Sequence, residues 1–312
     1  MLPSFFKYTV KPYHRMYIIF TILLSVLISP LVLFSQIELN LNEDSGPITE
    51  KKICYSYSFS KGDTLEYLVY AFDSITFPEQ ADVLKARKEN FQIICDSVSS
   101  TGNFFLRHTL LSVEIFETTK GTGTLTTTKH PWIGKDATIE IDSLGKRYSW
   151  KLGDSSKAVM SPGGAFQSVL FFPIKDHCVR ENSSWLVEAE DYYPENGLPV
   201  SNCNYASLFR TLPEIDTLGF KCNRLQYAKT GKSSVELRQI GTKTSIFVVS
   251  NSFGKLAISK SLKVPIHFFS TIEQKLQIIN DTNPNTIITG KHHITSNVSL
   301  VRLNQMHRKT VQ

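Results

Sequence analysis

The stretch Ala137–Trp150 (ATIEIDSLGKRYSW) constrains what this chain can fold into more than any other. Ile139 and Ile141 fall on one side of an extended chain, and Thr138, Glu140 and Asp142 on the other. That two-residue period is the mark of a half-buried strand. Asp142-Ser-Leu-Gly145 then supplies a turn, with an Asp able to bond its own backbone and a Gly free to take positive φ. Tyr148 and Trp150 continue the inward face on the return strand. The same unit comes back at Ser245–Ser259, where Asn251-Ser-Phe-Gly-Lys255 aligns with Asp142-Ser-Leu-Gly-Lys146. There Phe247, Val249, Leu256 and Ile258 are expected to point inward. Two such hairpins predict an all-β, mostly antiparallel chain of two similar lobes, with an open barrel as one form they could take.

Composition agrees with sheets. Hydrophobic residues make up 41% of the 312 positions and charged ones 20%, which excludes wholesale disorder. The 20 Phe and 12 Tyr suit pleated surfaces better than helical bundles.

The N-terminus reads as a targeting segment. Lys7, Lys11, His14 and Arg15 precede an apolar run from Met16 to Phe34, and Ser35-Gln36 closes it. Charged, apolar and polar parts follow one another as in a secretory signal peptide. The run also approaches the length of a bilayer span, so an uncleaved anchor is the competing reading. Pro30 and the abrupt polar end favour cleavage near Gln36. Removing residues 1–35 takes away three cations and no acid, so the net charge falls from +6 to +3. The remaining excess lies beyond Thr271, in Lys275, Lys291, Arg302, Arg308 and Lys309 against Glu273 and Asp281. The stretch between is balanced, and nothing in it argues for nucleic acid.

Five cysteines follow the leader: Cys54, Cys95, Cys178, Cys203 and Cys222. None forms a C-x-x-C, which excludes zinc ribbons and thioredoxin-like chemistry. Neighbouring strands suggest Cys203–Cys222 and Cys54–Cys95 as disulfides in an oxidising compartment, with Cys178 left over. Five small buried hydrophobes are the other reading.

Along the chain, residues 36–52 form a polar lead-in. Cys54–Phe59 and Thr64–Phe72 alternate as a hairpin about Lys61-Gly-Asp63. Ala81–Asn90 is the one helical candidate, with Val83, Leu84 and Ala86 among charges. Thr118–Lys129 is Thr- and Gly-rich without P-loop spacing, hence a loop or edge strand. The first lobe spans 53–152 and a polar link follows at Gly153–Gly164. The second lobe spans 165–270, and 271–312 reads as a basic, loosely ordered tail.

Within the second half, Phe172-Pro-Ile-Lys175, Val179, Asn182 and Ser184-Trp185 form the pattern F-P-x-K-x-x-x-V-x-x-N-x-S-W ahead of a strand. This resembles a pattern in uncharacterised two-lobed β proteins exported by Gram-negative bacteria. Those carry Gly where this chain has Asn182, an exchange that left-handed turn geometry tolerates. The resemblance spans about Tyr55 to Lys263. It implies a secreted β fold and brings no catalytic residue with it.

Catalytic and metal-binding patterns are missing. There is no G-x-S-x-G elbow, and adjacent His177 and Cys178 face opposite sides of a strand. His108 could meet Cys95 only through the fold. His130, His267, His292 and His293 lack H-E-x-x-H spacing. The acids Glu188, Glu190 and Asp191, like Glu140 and Asp142, read as solvated strand faces rather than a calcium loop. No catalytic, cofactor-binding or metal residue is therefore assigned, and no cofactor is expected. The expected function is that of an exported, non-catalytic envelope protein, periplasmic, outer-membrane-associated or extracellular. It would act by binding or as a structural component, with a hydrophobic small molecule or an envelope protein as partner. The alternative is a secreted hydrolase whose site is assembled from loops.

Overall fold

The computed structural model describes residues 51–305 apart from 79, 81, 120–122, 131–132, 153–169, 194–200, 240–241 and 281–282. The leader, most of the lead-in and the link at 153–164 lie outside the described residues. The described chain is all-β. A short pair, β1 (Lys52–Cys54) with β8 (Cys178–Arg180), stands beside one 12-stranded antiparallel sheet. The first wing holds β2 (Thr64–Thr76), β3 (Val83–Val98), β4 (Phe104–Thr119), β5 (Gly123–Thr127), β6 (Asp136–Ile141) and β7 (Arg147–Leu152). The second holds β9 (Ser184–Tyr193), β10 (Ser201–Thr217), β11 (Phe220–Gln239), β12 (Thr242–Ser259), β13 (Pro265–Asn280) and β14 (Asn283–Asn304). Their order is β7-β6-β4-β3-β2-β14-β13-β12-β11-β10-β9, with β5 on the far half of β4. The two halves of the chain are thus wings of one continuous sheet, joined where β2 pairs with β14. Among the described residues β7 and β9 do not pair, so the sheet is not closed into a barrel.

The first hairpin forms as its sequence dictates. Ile139 and Ile141 are buried, and Gly145 takes φ +77°. The Leu144 and Lys146 amides both donate to Asp142 Oδ1, at 2.9 Å each. Tyr148 departs from the expectation: its ring is exposed and its hydroxyl donates to Asp142 Oδ2.

The second hairpin does not exist. Asn251–Lys255 runs straight through β12, with Gly254 opposite Tyr227 on one side and Ser270 on the other. A Cβ at Gly254 would overlap the Tyr227 ring and the Phe269 carbonyl oxygen. This glycine serves close approach within a strand, not a turn. Phe247 and Val249 consequently face solvent, while Leu256 and Ile258 are buried as expected. The paired turns do not establish a repeat.

Three further expectations are corrected. Residues 83–90 are strand, because Arg87 and Glu89 alternate inward and pair there instead of lying on a solvated helix face. The expected loose tail at 271–312 instead supplies the second half of β13 and all of β14, the latter in the middle of the sheet, while 306–312 lie outside the described residues. The Thr, Asn and Ser of β14 alternate with buried Ile294, Val298 and Leu300, which is a strand pattern hidden by polar composition. The disulfide joins Cys54 to Cys178, which sit directly opposite in the β1–β8 pair. Cys95 and Cys222 are buried free thiols, so neither expected bridge forms.

The core lies at one end of one sheet face, the inner face. Two extended segments cross it. Tyr57 and Ser58 donate backbone hydrogen bonds to Ser143 and Lys263, in turns belonging to different wings. Ile174 donates to Leu144, and Tyr57 Oη accepts from the Phe172 amide. Phe172 packs among Phe209, Tyr227 and Phe268 with centroids 4.7–5.6 Å away. Each such ring contributes about 1.5–3 kcal/mol by burial. Asn182 takes φ 61°, the left-handed conformation expected of it, and leads into buried Trp185.

Candidate functional site

Beyond the aromatic core, the inner face carries a polar cluster and then an aliphatic platform. Strand register decides which side chains meet. Asp73 on β2, Arg87 and Glu89 on β3, Gln274 on β13 and His292 on β14 converge. Arg87 Nε donates to Asp73 Oδ2 at 2.6 Å, and its Nη1 donates to Glu89 Oε1 at 2.5 Å. His292 Nε2 lies 3.0 Å from Asp73 Oδ1, and its Nδ1 lies 3.2 Å from Gln274 Oε1. Asp73, Glu89 and His292 are all buried.

Burial and pairing compete in this cluster. Burial works against the Asp73 anion, yet the His292 hydrogen bond and the Arg87 charge together hold its carboxyl below the usual range. On Glu89 burial prevails over Arg87 and pushes the carboxyl up. Arg87 itself resists desolvation through Glu89 and Asp73 and stays charged.

A His–Asp pair is two members of a hydrolytic triad, but the third place here is taken by an amide. Gln274 has neither a hydroxyl nor a thiol to activate. Among the described residues no group of three or more His, Cys, Asp or Glu could hold a metal. The cluster satisfies itself and holds strands β2, β3, β13 and β14 together.

Past it, Ile246, Ile278 and Ile288 are successive cross-strand neighbours on β12, β13 and β14. Val248, Leu276 and Gly290 form the next row, with the Phe77 ring laid over Gly290. Leu276 is buried, Ile246, Val248 and Ile278 are half-buried, and Ile288 is 42% exposed. Two recesses open elsewhere. One of about 190 Å³ is lined by Thr64, Glu66, Gln92, Arg302 and Asn304. A shallower groove of about 570 Å³ runs along β9–β12 past Glu188, Ala206, Thr230, Lys232 and Val249.

No family model matches the sequence, and no curated protein matches it. Solved structures with some likeness include DynF from the dynemicin biosynthesis pathway of Micromonospora chersina. It is 8% identical, the match covers 81% of this chain and 86% of that one, and the TM-score is 0.25. Pseudomonas aeruginosa OpdQ is 10% identical, with 78% and 100% covered and a TM-score of 0.22. OpdK of the same organism, solved with vanillate, is 7% identical, with 78% and 100% covered and a TM-score of 0.18. Likeness this slight transfers neither fold nor ligand to this chain.

The residues weighed from sequence do not gather. His108 is buried against Phe91 and Phe171, and Cys95 hydrogen-bonds Ser97 instead. His177 and His293 are exposed, and His267 pairs with Asn297 at 2.8 Å. Glu140 accepts from Asn103 and Ser149, Asp142 caps its turn, and Glu188 lies on the solvent side. The side chains of Glu190 and Asp191 lie outside the described residues. Sequence reading missed Asp73, Arg87, Glu89 and Gln274, and placed His292 in a tail. One signal was available: charges two apart at Lys85, Arg87 and Glu89 fit a strand face as well as a helix.

Proposed function

We propose that this is an exported, non-catalytic protein of the cell envelope that binds the acyl part of an amphiphile on its inner face. The observation that carries the reading is the Ile246–Ile278–Ile288 row. It is an aliphatic strip whose end member Ile288 is 42% exposed, adjoining Val248 and Leu276 and separated from the packed core by a polar cluster. A soluble sheet normally covers such a strip or makes it polar. Export is supported by the order of charged, apolar and polar residues at the N-terminus, and by a disulfide, which persists in oxidising compartments.

Displacement of a fluorescent fatty-acid probe tests the binding. Ile278→Asp should weaken probe binding roughly 10-fold or more, since the acyl chain would have to desolvate a carboxylate where it now meets an apolar side chain. Retention of wild-type affinity by a folded Ile278→Asp protein, or no probe binding at all, would rule the reading out.

A further inference from the structure

The opposite, outer face of the second wing is built differently. Leu186, Leu208, Ala228 and Phe253 are successive cross-strand neighbours on β9, β10, β11 and β12. Leu186, Leu208 and Phe253 are 58%, 51% and 37% exposed. One outward position to one side lie Arg210 and Lys255. Two positions to the other side lie Lys232, Lys275 and Lys291. These positions are roughly 7 and 13 Å along the strands from the apolar row. All five cations are exposed, and among the described residues none has an ion-pair partner. The carboxylates described among them on this face are Glu188 and Glu273.

Lys275 and Lys291 are direct cross-strand partners. Side chains so placed have Cβ atoms about 5 Å apart, and like charges there are destabilising. The C-terminal charge excess that sequence reading gave to a tail is therefore folded in part onto this surface.

We propose that the outer face of β9–β14 rests on an anionic lipid bilayer. The lysines and Arg210 meet headgroup phosphates, and Leu186, Leu208 and Phe253 enter the boundary between headgroups and chains. An anionic surface relieves the Lys275–Lys291 repulsion. Lipid also accounts for the apolar row between the cations, for which a polyanion has no use. This goes beyond the inner-face reading and involves none of its residues.

Co-sedimentation of the full chain with phosphatidylcholine vesicles, with and without a quarter of phosphatidylglycerol, tests it. The ratio of the two affinities cancels what the N-terminal apolar run contributes to both, and comparing each variant with the wild type cancels what Lys7, Lys11 and Arg15 add to the anionic one. The wild type should favour the anionic vesicles by roughly 100-fold or more, about five-fold for each of at least three cations. Lys275→Gln with Lys291→Gln should reduce that preference roughly 25-fold, about five-fold per charge. Leu208→Ser with Phe253→Ser should lower the binding that survives 0.5 M salt roughly 10-fold, on top of an unchanged contribution from the N-terminal apolar run. All these positions are exposed, and unchanged thermal melts will show that the variants fold. Equal binding to both vesicles, or an undiminished preference in the Gln variant, would overturn the proposal. So would heparin binding without vesicle binding, which would assign the face to a polyanion. The fatty-acid displacement assay contains no vesicles and alters the other face, so either idea can fail alone.

Discussion

Gly254 shows how one missing Cβ can organise a sheet. It lies mid-strand with Tyr227 stacked over it, and Tyr227 in turn packs on Phe172 and Phe268. Gly254→Ala should cost about 1–3 kcal/mol by overpacking. Tyr227→Leu should make the same substitution cheaper, and a double-mutant cycle in urea will show that coupling. A second residue-scale prediction concerns His108. Its ring is buried and stacked on Phe91, its Nε2 has no partner, and burial lowers its pKa to about 4. In the unfolded chain it titrates near 6.5, so between those values the unfolded state binds the extra proton. The contribution is fully present above pH 6.5 and is lost as pH falls towards 4, roughly 3 kcal/mol in all. His108→Phe keeps the stack and should flatten this part of the pH profile, read as urea midpoints at pH 7.5 and 4.5. An identical pH slope in the two proteins would remove the claim.

At the scale of elements, the small β1–β8 pair is more than an appendage. Tyr55 and Tyr57, immediately after β1, are core residues, and Leu170–Ile174 ahead of β8 fill the same space. The Cys54–Cys178 bridge closes a separation of 124 residues. On the chain-entropy account such a closure contributes about 4–5 kcal/mol. Reduction, or Cys54→Ser with Cys178→Ser, should lower the melting temperature accordingly. Cys95 and Cys222 should resist alkylation in the native protein, since burial is the main cause pushing each thiol up to about 11. Rapid labelling of either before unfolding would contradict their placement.

For the whole molecule, the decisive feature is that both wings share one core. Ile139 of the first wing and Leu256 of the second belong to one buried cluster, bridged by Tyr57 and Phe172. Ile139→Ala and Leu256→Ala should each cost about 2–5 kcal/mol. Both should shift one common transition, with tryptophan fluorescence and circular dichroism coinciding. Two transitions, each sensitive to one substitution, would mean that the wings fold separately. Folding should be slow, because β2 must find β14 more than 200 residues away.

Local periodicity determined a good deal by itself. The Ala137–Trp150 hairpin, the alternation of Thr64–Phe72 and the left-handed Asn182 all follow from rules acting over a few residues. So does the all-β class, since aromatic and β-branched alternation has few other outlets. What the sequence left open was decided by partners distant along the chain. A glycine reads as a turn until Tyr227 is seen above it. Arg87 and Glu89 read as solvated until β14 brings His292 to Asp73. The Asn- and Thr-rich C-terminus looks unanchored until β2 and β13 flank it. Cys54 could not be matched to Cys178 from spacing, because β1 and β8 adjoin through the packing of two separate segments. Side-chain pattern specifies which face of a strand is buried; only the tertiary pairing of strands specifies what that face is buried against.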